Sequence, residues 1–157
     1  MLELIKKLNE SPKPEWVKEH PFIKGVKYLP IDKVELLLNS LFTRVDIEIK
    51  EAKVELNSCV VVVRLTVYTG SEVFRIVEGV GAAPVKTAHG SGALDLDKMN
   101  SSALMTGFPA AESFAIKDAA EKLGRIFGCD LNRKDAIPLR DGYWDKVKEN
   151  YWDKYKK

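Results

Sequence analysis

The chain has 157 residues, 45% of them apolar and 31% charged, a composition that excludes a disordered or fibrous polymer and fits one folded domain. Its 25 lysines and arginines against 23 acids leave a net charge of +2, so it is not a bulk polycation; any nucleic-acid site must come from clustering. Cys59 and Cys129 are far apart and only His20 and His89 accompany them, so no zinc motif can be assembled and reduced thiols are expected.

In chain order, the opening MLELIKKLNE carries a short helical stripe of Leu2, Ile5 and Leu8 and lacks the apolar core and cleavage site of a signal peptide. Ser11 and Pro12 open a second short helix with Trp16 and Val17, which His20-Pro21 closes. After Pro30, Asp32 and Glu35 resemble a capping box, and Val34, Leu37, Leu38 and Leu41 follow at helical spacing. Lys33 then falls in the first turn, where the helix dipole adds partial positive charge.

From Arg44 the period becomes two: Val45, Ile47 and Ile49 alternate with charged residues, and Lys53 to Leu56 continues the strand after a bend. Val60 to Tyr68 and Glu72 to Val80 are two further strands, so an antiparallel meander is predicted. With Thr69-Gly70 at the turn, Leu65 faces Phe74, Val63 faces Ile76, and Arg64 sits opposite Arg75. Like charges so paired cost about 0.2–1 kcal/mol and point to an anionic partner, unless Asp46 or Glu48 on the neighbouring strand neutralises them.

Gly79 to Ala110 is rich in small residues and reads as a long loop with a brief helical turn at Asp95 to Met99. Ala110 to Leu131 is predicted to be a slim helix carrying Lys117, Lys122 and Arg125, ended by Gly128. A polar loop and an aromatic, basic helix from Tyr143 to Lys157 follow; its stripe of Trp144, Val147, Tyr151 and Tyr155, interleaved with lysines, has the makings of a base-stacking surface, and docking on the protein's own core or on a neighbouring subunit is the favoured reading. The longest apolar run, Cys59 to Val63, is too short to cross a membrane, and the expected setting is the cytoplasm. The expected fold class is α+β, a three-stranded antiparallel meander packed by helices with helical extensions at both ends, in a single domain covering 1–157.

Two patterns bear on an enzymatic reading. GVGAAPVKT lacks the glycines a phosphate-binding Walker loop requires, having Val85 and Val80 there, which leaves Lys86 and Thr87 as phosphate contacts of another kind. Asp32 with Glu48-Ile49-Lys50 has the spacing of a metal-dependent nuclease, yet these residues are also accounted for by a helix start and the wet face of a strand. No cofactor is expected.

Three blocks in order carry a family resemblance: YLPIDKVELLLNSLF (Tyr28 to Phe42), VEGVGAAPVKT (Val77 to Thr87) and AESFAIKDAAEKLGRIFG (Ala111 to Gly128). Together they resemble the Rad-fifty-two/Sak family of single-strand annealing recombinases, which includes many phage-encoded members. The resemblance covers residues 26–133 and leaves 134–157 as a basic, aromatic extension. It implies an αβββα core that assembles into rings or open homo-oligomers and anneals single-stranded DNA held in a positive groove, without ATP hydrolysis. On this resemblance Lys33, Lys86, Lys122 and Arg125 occupy basic positions of the family. Arg64, Arg75 and Lys117 complete the candidate DNA contacts, and a nuclease or single-strand-binding protein is a further candidate partner. Glu121 departs from the pattern where a second cation is common, and the segment from His89 to Pro109 is longer than the family's. A double-stranded-RNA-type module, which shares the αβββα order, is the alternative binding reading.

Overall fold

The computed structural model describes residues 1–133 apart from Phe22 and Ala93; the helix expected at Tyr143 to Lys157 lies outside the described residues. Helix α1 (Leu2–Leu8) is followed by a 3-10 turn (Pro14–Trp16) and a two-stranded hairpin, β1 (Lys18–Glu19) with β2 (Lys27–Tyr28). Helix α2 (Ile31–Leu41) leads into strands β3 (Arg44–Glu55), β4 (Ser58–Thr69) and β5 (Glu72–Pro84). A 3-10 turn (Leu96–Lys98), helix α3 (Ala103–Glu121) and a last 3-10 turn (Arg125–Phe127) complete the order. The three long strands form an antiparallel sheet in the order β3-β4-β5, so the α+β class and the αβββα core are observed.

The core follows from alternation in the central strand. Cys59, Val61, Val63, Leu65 and Val67 of β4 are buried on one face, where they meet Val34, Leu37 and Leu38 of α2 and the small residues of α3. Helix α3 packs across β5 and β4, and it does so closely because both sides lack bulk. Ala111, Ala115 and Ala119 sit against Gly79 and Gly81, positions where an added Cβ would run into helix backbone. The helix thus lies nearer the sheet than side chains of ordinary size would permit.

Four sequence expectations are corrected. The β4–β5 register places Arg64 opposite Glu78, Leu65 opposite Val77 and Val67 opposite Arg75, so Arg64 and Arg75 are not partners. The turn is Gly70-Ser71, with Gly70 at φ 64, and a bulge follows between Val67 and Tyr68; both shift the pairing away from a Thr69-Gly70 turn. Helix α2 starts at Pro30 as its N-cap with no side-chain cap, and Asp32 lies inside the first turn, paired with Lys33.

The long helix begins at Ala103 and not Ala110, because Leu104 and Phe108 pack against the core and Gly107 passes over Cys59. It also stops earlier, at Glu121: Gly124 takes an extended conformation where Leu8 of α1 presses against it, and a Cβ there would lie 2.9 Å from the Leu8 Cβ. Gly128 then closes the short 3-10 turn with φ 94. The bend expected before Lys53 is a bulge between Ile49 and Glu51. Cys59 is buried and Cys129 partly buried, both as free thiols.

Candidate nucleic-acid interface

The candidate cations fall into two groups and two outliers. The first group gathers around β5, with Lys122 and Arg75 at its outer edge and Arg64 on the neighbouring strand β4. Arg64 projects from the sheet face opposite α3 and grips the Glu78 carboxylate with Nη2 at 2.8 Å and Nε at 3.1 Å. Lys122 caps the end of α3, donating to the Asp118 carboxylate at 2.8 Å and the Glu78 carbonyl at 2.6 Å. Arg75 donates to the Lys122 carbonyl at 3.1 Å, satisfying one of the acceptors that a helix end leaves open. Two carboxylates therefore neutralise most of this cluster, and redirecting Arg64 or Lys122 to a phosphate would require breaking a surface ion pair.

The second group is a run of lysines seated on aromatic rings. Lys13 Nζ lies 4.9 Å and Lys33 Nζ 6.0 Å from the centre of the Trp16 ring. Two residues on from Trp16, Lys18 pairs with Tyr28 across the β1–β2 hairpin. On α3, Lys117 Nζ lies 5.3 Å from the Tyr28 ring and 4.7 Å from the Phe114 ring. Such contacts hold a cation without cancelling its charge, which leaves Lys13 and Lys117 with no ion pair among the described residues; Lys33 is also paired with the Asp32 carboxylate at 3.0 Å, which a phosphate would have to displace.

The chain builds this run from short, well-anchored pieces. Pro14 starts the turn that presents Trp16. The Asn132 side chain bonds the backbone of Lys27 in both directions, at 2.7 Å each, and so fixes the hairpin next to Tyr28. The His20 ring meets Tyr28 edge-on at 6.2 Å. Beside the hairpin opens a cavity of about 430 Å³ bounded by Pro12, Pro14, Val17, Lys18, Lys27 and Leu131.

Lys86 and Arg125 join neither group. Lys86 is exposed beyond the end of β5 and has no side-chain ion pair among the described residues, while its carbonyl accepts from Asn100 at 3.0 Å. Arg125 is bound to Asp130 at 2.7 Å in a partly buried pair.

Electrostatics sharpen the contrast. The hydrogen bond from Lys33 holds the carboxyl of the exposed Asp32 below its ordinary value, with slight desolvation opposing and Lys18 assisting. Burial lowers Lys117, and the Glu121 carboxylate pulls it back up. Glu121 reaches solvent, yet the crowding around it and the neighbouring Asp118 raise its carboxyl above the usual range, against Lys117 and Lys122. A raised carboxyl means that the folded state holds a proton more readily than the unfolded chain. Its contribution to stability is therefore fully present at low pH and lost as pH rises through the folded value. Glu121→Gln is accordingly expected to melt above the parent protein at neutral pH, with the difference shrinking on acidification. The same substitution removes an anion beside Lys117 and is expected to raise single-strand affinity about threefold, measured by anisotropy titration at fixed salt.

Sequence reasoning passed over Lys13, Trp16, Lys18, Tyr28 and Phe114 as site residues. The available signal was a ring next to or near a lysine in KPEWVK and KYLP, but only folding brings these segments to α3. Asp32, Glu48 and Lys50 do not converge: Asp32 pairs with Lys33 on α2, and Glu48 with Lys50 on β3 at 3.0 Å. Among the described residues no three His, Cys, Asp or Glu side chains gather as a metal site, and no helix is long and apolar enough to cross a membrane. No protein-family model matches the chain, and no curated protein matches it.

Proposed function

We propose that the protein binds single-stranded DNA and promotes annealing of complementary strands in recombination, as a homo-oligomer and without ATP. The observation that carries this reading is the alternation of lysines and rings from Lys13 and Trp16 through Lys33 and Tyr28 to Lys117 and Phe114. When a strand binds, the ammonium groups resting on the rings would move to the phosphates and open those ring faces to unpaired bases of any sequence. Duplex DNA hides its base faces, so such a surface favours single strands. The observed αβββα order agrees with the family resemblance and supplies the frame on which Lys33 and Lys117 sit.

In this reading Lys117 and Lys33 are the principal phosphate contacts, Lys33 exchanging Asp32 for a phosphate, with Lys13 and Lys18 beside them and Lys86 as a separate cation that has no ion pair among the described residues. Arg64, Arg75, Lys122 and Arg125 serve first to fasten β5, α3 and the final turn. A near-neutral subunit binds a polyanion well when assembly aligns several such surfaces, because each neutralised phosphate releases counterions.

The test mixes complementary labelled strands with the protein, with and without magnesium and ATP, alongside a sizing run and a duplex-RNA competitor. Faster annealing that needs neither magnesium nor ATP is the expected result. No acceleration in any assembly state would reject the reading. Preferential competition by duplex RNA would favour the double-stranded-RNA alternative, and magnesium-dependent cleavage would favour a nuclease.

A further inference from the structure

Strand β3 is a long edge whose apolar row is left bare by the described residues. Helix α3 lies over β4 and β5, and among the described residues Val45 alone of that side of β3 packs against the core. Ile47, Ile49 and Val54 are 43%, 52% and 44% exposed. An edge strand also presents backbone N–H and C=O groups with no partner, which soluble proteins usually block or cover.

The opposite edge of the sheet is already occupied. Along β5 the Val80 N–H donates to the Asp118 carboxylate at 3.0 Å, and the Glu78 carbonyl accepts from Lys122. A strand arriving there would have to displace both side chains of α3. Head-to-tail addition of β3 onto the β5 of a neighbour is thereby obstructed, whereas β3 is interrupted by the bulge between Ile49 and Glu51 and has no such side chains across it among the described residues.

We propose that β3 is a homodimer interface, in which two copies pair their β3 strands antiparallel about a two-fold axis at Ile49 and continue the sheet to six strands. The charge pattern of the strand supports this occupant. Counting the bulge at Lys50 and Glu51 as one position, the two-fold at Ile49 sets Arg44 opposite Glu55 of the partner subunit and Asp46 opposite Lys53 of the partner subunit. Glu48 falls opposite the bulge that carries Lys50 of the partner subunit. On the helix side the same register sets Val45 opposite Val54 of the partner subunit and Ile47 opposite Ala52 of the partner subunit. Opposite charges and apolar pairs each favour cross-strand neighbours.

Within one copy these charges already pair along the strand: Arg44 with Asp46, Lys50 with Glu48, and Lys53 with both Glu51 and Glu55. The dimer extends those pairs across the axis and leaves Glu51 held by its own Lys53. A two-fold contact uses one surface on both copies and closes on itself, so any assembly larger than the dimer needs a second contact elsewhere on the subunit. This interface does not rest on DNA binding; a dimer that fails to anneal strands would count against the function proposed above and not against the interface.

The test uses the full chain at several concentrations by sedimentation equilibrium. The parent protein is expected to form dimers or assemblies of dimers. Ile49→Lys sets two lysines on the axis and is expected to weaken self-association about a hundredfold, roughly tenfold for each copy, while circular dichroism shows the fold retained. A second variant, Ile49→Cys in a Cys129→Ser background, is expected to cross-link to itself under mild oxidation, because directly opposite Cα atoms about 4.5–5.5 Å apart fit disulfide geometry. Leu36→Cys, half-exposed on α2, is the control expected to stay uncross-linked. A monomeric parent protein overturns the proposal, including one in which residues 134–157 cover β3 and shield Cys introduced at position 49 from alkylation. Association unchanged by Ile49→Lys, or no cross-link at position 49, overturns it as well.

Discussion

Gly81→Ala is expected to lower the melting temperature by up to about 10 °C, a large loss from so small a change. The added methyl would run into the Ala111 carbonyl and the Ala115 amide of α3 and lie 2.9 Å from the Phe114 Cβ. The first two are helix backbone, which cannot rotate away as a side chain can. Helix α3 must therefore lift, and Ala111, Ala115 and Ala119 lose their seat together. Overpacking of this kind costs about 1–3 kcal/mol and sometimes more, and each kcal/mol is worth about 2–4 °C in a chain of this size. Gly70→Ala supplies the comparison: its φ of 64 imposes backbone strain, but nothing lies within 4 Å of the new methyl. That variant should lose only about 1 kcal/mol. Equal losses at the two positions, measured by calorimetry, would mean that close approach of α3 is not what Gly81 provides.

The second large effect concerns binding. Trp16→Leu and Tyr28→Leu keep apolar bulk where each ring contributes to packing but remove the stacking surface. Each is expected to weaken single-strand affinity by about tenfold, in line with the 1–3 kcal/mol that a stacked base contributes. The slope of log affinity against log salt should stay unchanged, since no phosphate contact is lost. Lys33→Gln, by contrast, should weaken binding and reduce that slope by about 0.7. If the aromatic substitutions change the slope and the lysine substitution does not, the assignment of rings to bases and ammonium groups to phosphates is wrong. Isothermal titration at four salt concentrations separates the two.

Where burial and hydropathy coincide, the fold could be read directly. Val34, Leu37 and Leu38 of α2 and the alternating row from Cys59 to Val67 of β4 are apolar by pattern and buried in fact. The reading failed on β5 because there the two properties part. The face of β5 that meets α3 carries Gly79, Gly81 and Ala83, chosen for the room they leave, whereas Ile76 and Val80 on the other face are each 56% exposed. A register built on hydropathy follows Phe74 and Ile76 and so pairs the wrong residues.

The start of α3 escaped notice for a similar reason, since SSALMTGFP has the composition of a loop and Gly107 earns its place only over Cys59. For the interface, Lys33 and Lys117 could be picked out singly. Their aromatic seats could not, because Trp16, Tyr28 and Phe114 are joined by the hairpin and its anchor to Asn132, far apart in sequence.

The passage of Gly107 over Cys59 has a practical consequence. The thiol is fully buried at the sheet surface, its ionisation suppressed by burial, and a Cβ on Gly107 would lie 2.6 Å from its sulfur. A thiol so enclosed reacts with an alkylating reagent only when the overlying helix moves off the sheet. The native sequence therefore contains a chemical clock for the opening of α3, readable without any introduced label and distinguishable from the partly buried Cys129 by its slower reaction.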